Sequence, residues 1–139
     1  MVVQKYNWDY IEDSREFALG EIWTVRDELL SLLPADRVHG ARENYYPSRT
    51  VVVIQNSEEN TDPTYPVIRV VPLTSQVRFM REFDVELNPQ LDSVKKTCIA
   101  RVQLAQPILK KDLYQKVGDI SQDKIYEILA VEMKLIGID

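Results

Sequence analysis

Two short runs constrain this chain more than anything else in it: Arg49-Thr-Val-Val-Val-Ile-Gln-Asn56 and Tyr65-Pro-Val-Ile-Arg-Val-Val-Pro-Leu-Thr-Ser-Gln76. Each is rich in β-branched residues and bounded by turn formers, the pattern of a strand. Residues 57–64 between them, Ser-Glu-Glu-Asn-Thr-Asp-Pro-Thr, are polar and charged and read as a loop. The runs are close to continuously apolar, so they predict central strands covered on both faces. Arg49 stands where the first run begins, and Thr74 and Ser75 where the second stops. A guanidinium and hydroxyls at strand ends, beside loops, are groups that a rigid scaffold can present as a site.

The flanking sequence extends a β pattern. Gly20–Arg26 reads as a strand, with Ile22 and Thr24 alternating with Glu21, Trp23 and Val25. Residues 27–33 suit one or two helical turns, stopped by Pro34. Residues 35–48 carry Gly and Pro without periodicity and predict a long loop, a kind that is often functional. Phe83–Leu87 alternates as a half-buried strand, and Asn88–Asp92 turns the chain. Val94–Ala105 reads as the longest strand, with Thr97, Ile99, Arg101, Gln103 and Ala105 on one face and Cys98 on the apolar other. Residues 107–120 read as turns. Ser121 is a candidate N-cap for a helix over 121–136, whose stripe is Ile125, Ile128, Leu129, Met133 and Ile136. Near the N-terminus, Tyr10, Ile11, Ser14, Phe17 and Ala18 suit a short helix packing on the rest, so residues 1–19 read as an extension and 20–139 as one domain. Five or more strands and one closing helix predict a small, curled, mostly antiparallel β-barrel.

Composition narrows the function classes. No apolar run is long enough for a transmembrane helix, and Met-Val-Val-Gln-Lys-Tyr-Asn-Trp lacks the cationic start and apolar core of a signal peptide. One cysteine, Cys98, excludes an internal disulfide and fits a reducing cytoplasm. The net charge of −5 is unlike a nucleic-acid binder, yet residues 76–111 hold seven bases against four acids, a local +3. That patch is either a solvated strand-and-turn surface or a small basic face able to hold a short single strand. One Cys and one His cannot build a structural zinc site, and no phosphate-binding glycine motif or nucleophile elbow is present. Neither a metal nor a cofactor is expected. Glu58-Glu59 and Asp84/Glu86 read as loop and solvent-face charges. His39, the single histidine, is the one side chain that titrates unperturbed near neutral pH.

Arg-x-Val-Val-Val-Ile-Gln, a variable loop, and then Val-x-Pro-Leu-Thr-Ser together resemble the MazF/PemK/Kid group of toxin endoribonucleases. Gly20-Glu-Ile-Trp-Thr-Val25, Phe83–Leu87, Gln106-Pro107 and Val117-Gly-Asp-Ile-Ser121 match the group's further landmarks in its order, over roughly residues 20–136. Two features depart from it: Thr50 follows Arg49 where the group usually has proline, and the insert before Arg49 is longer. The resemblance implies an SH3-like antiparallel barrel of the CcdB/Kid type with a C-terminal helix. It implies a homodimeric, cytoplasmic toxin that cuts single-stranded RNA without a metal, leaving 2′,3′-cyclic phosphate and 5′-OH ends, and that a cognate antitoxin silences. It assigns Arg49 to charge on the reacting phosphate and Thr74 to its orientation, and makes His39 a loose match to a catalytic loop histidine. Some members place an arginine and an acid where this chain has Gln103 and Ala105; Arg101, two residues before Gln103 on the same face, is the substitute arginine. Ser75, Gln76, Arg78 and Gln103, with Tyr45 and Tyr46 as stacking platforms, are the expected RNA contacts. The alternative is the same fold without catalysis, a module binding RNA, an antitoxin or a gyrase-like protein.

Overall fold

The computed structural model describes residues 12–34, 36 and 47–138. Among these, seven strands form one antiparallel sheet: β1 (Glu21–Val25), β2 (Arg49–Val53), β3 (Val67–Thr74), β4 (Asp84–Leu87), β5 (Cys98–Arg101), β6 (Gln106–Leu109) and β7 (Leu113–Asp119). A single turn of helix, α1 (Ser57–Asn60), lies in the β2–β3 loop, and α2 (Gln122–Leu135) closes the chain. The strand order is β4-β5-β3-β2-β1-β7, with β6 also pairing β3.

The continuous apolar character of β2 and β3 is explained by two cores. Ile22, Val52, Val71 and Leu73 face a core that Ile125 and Ile128 of α2 complete. Trp23, Val25, Val51, Val53 and Val70 face the other, which Phe17 and Leu113 close. Alternate residues of one strand therefore feed opposite cores, and in the middle of the central strands only Arg69 of β3 is exposed.

β3 shares one side between two partners. Val67–Val70 pair β6, whereas Leu73 and Thr74 pair β5. Ile54 N–H donates to the Arg69 carbonyl, so odd-numbered residues of β3 turn their backbone groups to β2 and even-numbered ones to β5 and β6. Pro72, which lacks an N–H, falls in the gap where β3 changes partner, the place where a central strand tolerates it.

Several expectations are corrected here. The sheet is not closed into a barrel. Pairing on one side of β3 splits between β5 and β6 instead of continuing round, so β4 and β7 remain edges. The strand expected over 94–105 is only Cys98–Arg101; a 3-10 turn at Val102–Leu104 then steps the chain across to β6. Residues 107–120, expected as turns, hold the end of β6 and all of β7. β7 was illegible because it is an edge strand on β1 whose Tyr114, Gln115, Lys116 and Val117 are all exposed. Residues 12–18 form no helix; Phe17 is nonetheless buried against Trp23, ring centroids 4.8 Å apart. The rest of the extension, with Trp8, Tyr10 and Ile11, lies outside the described residues. In α2, Ile125 and Ile128 are buried, but the expected stripe leaves the core by Met133 and Ile136, which are 46% and 69% exposed. Ser121 occupies the N-cap without a side-chain cap bond; its N–H instead donates to Asp92 Oδ1 at 2.9 Å.

Candidate functional site

The start of β2 and the end of β3 are brought together by register alone. Val51 pairs with Pro72 in the antiparallel ladder. That is the last pair of the ladder; Arg49 begins β2 two residues before Val51, and Thr74 ends β3 two residues after Pro72, so the two stand at adjoining strand ends. Both border a cleft of about 450 Å³, together with Ser75, Gln76 and the Lys95-Lys96 pair. Among the described residues, the lining contains three cations, Arg49, Lys95 and Lys96, and no carboxylate. Such a wall favours an anion, and low-dielectric surroundings strengthen that preference.

Arg49 does not wave in solvent. Its Nε donates to Oδ1 of Asp27, and the arginine side chain is 21% exposed while the acid is fully buried. Asp27 opens a 3-10 turn (Asp27–Leu29) directly after β1, which is how the acid comes to lie under the β2 start. A charge-assisted bond at Nε fixes the plane of the guanidinium and so the direction of its terminal nitrogens. At the opposite strand end, Thr74 Oγ1 accepts the N–H of Gln76 at 3.3 Å. That local bond shapes the turn carrying Ser75 and Gln76 along the cleft wall.

Other expected site residues lie elsewhere. Arg101 does not line the cleft, contrary to the convergence expected for it. It stands opposite Asp84 in the β4–β5 ladder, and its Nη1 donates to Asp84 Oδ2 at 3.2 Å. Asp84 is itself held by the Arg81 N–H, so this is a strand-end clamp. Gln103 is exposed in the 3-10 turn after β5 and is not on a strand face. Arg78 sits in the turn Val77–Phe79, its guanidinium 4.8 Å from the Phe79 ring centroid, and does not line the cleft. His39, Tyr45 and Tyr46 lie outside the described residues.

Two contributions to the site were missed from sequence. Asp27 read as part of a helical turn, and nothing local marks it as the partner of a residue 22 positions away. Lys95 and Lys96 read as the start of a strand. Two consecutive lysines would lie on opposite faces of a strand, and that conflict was the available signal that they belong to a loop. Among the described residues, no group of three or more His, Cys, Asp or Glu side chains gathers to hold a metal ion.

Cys98 also lines the cleft but is not a nucleophile there. Burial, and then the nearby Asp92 charge, push its thiol up to about 11, so it stays protonated at neutral pH. Native protein at pH 7.5 should therefore be labelled by iodoacetamide far more slowly than urea-unfolded protein, as followed by intact mass. Equal rates in the two states would show Cys98 to be accessible and ionisable.

A family profile described as "PemK-like, MazF-like toxin of type II toxin-antitoxin system" matches residues 29–135. No curated protein matches the sequence. Among solved structures, an endoribonuclease in complex with its cognate antitoxin from a mycobacterial species superposes with a TM-score of 0.63, at 13% identity over 88% of this chain and 96% of that one. A second mycobacterial endoribonuclease gives a TM-score of 0.64 at 12% identity, over 91% and 97% of the two chains. A MazE–MazF complex from Deinococcus radiodurans gives 0.60 at 14% identity, over 88% and 95%. At these identities the likeness is one of fold.

Proposed function

Since this chain belongs to the PemK-like, MazF-like toxin family of type II toxin–antitoxin systems, we propose that it is an endoribonuclease toxin that cuts single-stranded RNA. The observation that carries this reading is that Arg49, at the start of β2, and Thr74, at the end of β3, line one cleft whose described residues include no carboxylate. The reaction proposed is attack of a 2′-OH on the adjacent phosphorus. The 2′-O–P bond forms, the P–O5′ bond breaks, and the products are a 2′,3′-cyclic phosphate and a 5′-OH. The 2′-oxygen loses a proton and the 5′-oxygen gains one. Arg49 stabilises the charge that develops on the phosphorane oxygens, and Thr74 orients the phosphate by its hydroxyl. His39 is the candidate for proton transfer; Ser75 and Gln76 extend the RNA contact along the wall, with Tyr45 and Tyr46 as stacking candidates. Arg101 is left out of this proposal: it pairs with Asp84 and is not among the described residues that line the cleft. The protein acts in the cytoplasm as a homodimer, whose contact draws on exposed Leu29 and Leu33, and a cognate antitoxin silences it.

One observation favours the alternative of a non-catalytic binding module: the described cleft residues include no histidine and no carboxylate to carry a proton. The two readings separate on a labelled single-stranded RNA incubated with antitoxin-free protein, with and without EDTA. The nuclease reading expects cleavage that EDTA does not change, with cyclic phosphate at the new 3′ ends. Binding without cleavage under every condition leaves the module reading in its place.

A further inference from the structure

Resting on that RNA reading, we propose that residues 92–97 form a rigid phosphate-binding lip, in which Lys95 and Lys96 hold an RNA phosphate next to the one at Arg49 and Thr74. Three independent constraints hold this loop. Asp92 is completely buried and uses both carboxylate oxygens, Oδ2 accepting the Asn88 N–H and Oδ1 the Ser121 N–H, each at 2.9 Å. The loop is thereby tied to the start of α2. Ser93 has φ of 52°, the left-handed region that a residue with a Cβ occupies at a cost. Such a conformation persists where the surroundings over-determine it. Those surroundings include β7: a Cβ added to Gly118 would stand 2.5 Å from the Ser93 Cβ, so the strand packs backbone-close beneath the serine.

What this support presents to the cleft is charge. Ser93, Val94, Lys95 and Lys96 all line it. Neither ammonium has a carboxylate partner among the described residues; Arg78, Arg81, Lys111 and Lys134 share that, but none of those four lines the cleft, and Arg15, Arg26, Arg69, Arg101, Lys116 and Lys124 are each ion-paired. In a chain of net charge −5, two adjacent cations left without acids, on a loop braced by a buried acid and a strained serine, form an anion site rather than a solubilising surface. The same cleft carries Arg49, a second positive centre, which suits a polymeric anion with more than one phosphate. Ammonium groups contact phosphate as point charges without reading the base, so the lip adds affinity and leaves sequence choice to other residues.

The test uses the full chain and a single-stranded RNA made uncleavable by 2′-deoxy substitution. Affinity is measured against salt for wild type, Lys95→Ala/Lys96→Ala and Lys95→Arg/Lys96→Arg, alongside kcat and KM on the cleavable RNA. The alanine pair should bind at least tenfold more weakly at low salt, with a log–log salt slope shallower by about 0.7 for each phosphate that is no longer neutralised. KM should rise while kcat stays within about twofold, and the arginine pair should restore binding. An unchanged affinity and slope in the alanine pair overturns the lip while leaving the RNA reading intact. Affinity lost for a polyglutamate peptide but kept for RNA overturns it in favour of a protein partner. Wild type that binds no RNA overturns the RNA reading itself, and the lip with it.

Discussion

Arg49→Ala is expected to slow RNA cleavage by on the order of 10²–10³, the usual cost of losing one transition-state donor in an enclosed site. It is also expected to lower the melting temperature. The arginine is an ion-pair partner of the fully buried Asp27, and removing it withdraws a charge that helps offset that burial. Breaking a buried pair costs ~3–5 kcal/mol; the low end applies here, because the arginine is still a fifth exposed. The single variant therefore confounds chemistry with stability. Asp27→Asn/Arg49→Ala separates them: with the buried charge neutralised, the melting temperature should recover most of its loss, and cleavage should not recover at all. Arg49→Lys should keep the charge but lose the fixed fork, and fall between wild type and alanine. The measurements are cleavage of a labelled RNA and thermal unfolding by circular dichroism on the same preparations. If the double variant cuts RNA like wild type, Arg49 is not the phosphate ligand and the site lies elsewhere.

The largest stability loss expected from a single added carbon is Gly20→Ala. Gly20 has φ of 92°. It also sits where three elements meet: its N–H donates to Val53 O at 2.8 Å, and its carbonyl accepts Ile120 N–H at 3.0 Å. An added Cβ would stand 2.4 Å from Ile125 Cδ1 and 2.9 Å from its Cγ1. Ile125 is a core residue of α2, so it has little room to yield. Left-handed strain of roughly 1–2 kcal/mol and overpacking of roughly 1–3 kcal/mol together lower the melting temperature by on the order of 10 °C. Gly137→Ala is the control. Its φ is 93°, but no heavy atom lies within 4 Å of the added carbon, so only the backbone strain remains and the drop should be less than half as large. Equal drops would mean that the α2 core accommodates the methyl and that packing at Gly20 is not what excludes a side chain.

Both positions show how far local pattern reaches. Gly20 and Arg49 are visible in the sequence as a turn residue and a strand-start cation; what each touches, Ile125 and Asp27, is more than 20 residues away. The part of the site that was legible is the part set by one short hairpin-like pairing. The runs 49–56 and 65–76 are β-branched and continuous, the pattern of neighbouring central strands, and their antiparallel pairing leaves the start of one, at Arg49, beside the end of the other, at Thr74. The helix after Ser121 was legible for the same local reason, its 3.6-residue stripe through Ile125 and Ile128.

The sequence by itself thus determined the β class, the central strand pair, the closing helix and the two ends that meet at the cleft. Only the tertiary structure decided the rest. Of residues 94–105 only Cys98–Arg101 is strand, because β3 gives Leu73–Thr74 to β5 and Val67–Val70 to β6, and the chain turns at Val102–Leu104 to serve both. That turn removes Gln103 from the strand face assigned to it, while Arg101, on the last residue of β5, goes to Asp84 across the ladder rather than to the cleft. The same shortening of the strand frees Lys95 and Lys96 to line the cleft from a loop. Periodicity reports which side of a strand a residue is on; it does not report where the strand stops or which charge waits opposite. Those depend on hydrogen-bond partners distant in sequence, and here they decide which of several basic residues stand at the site.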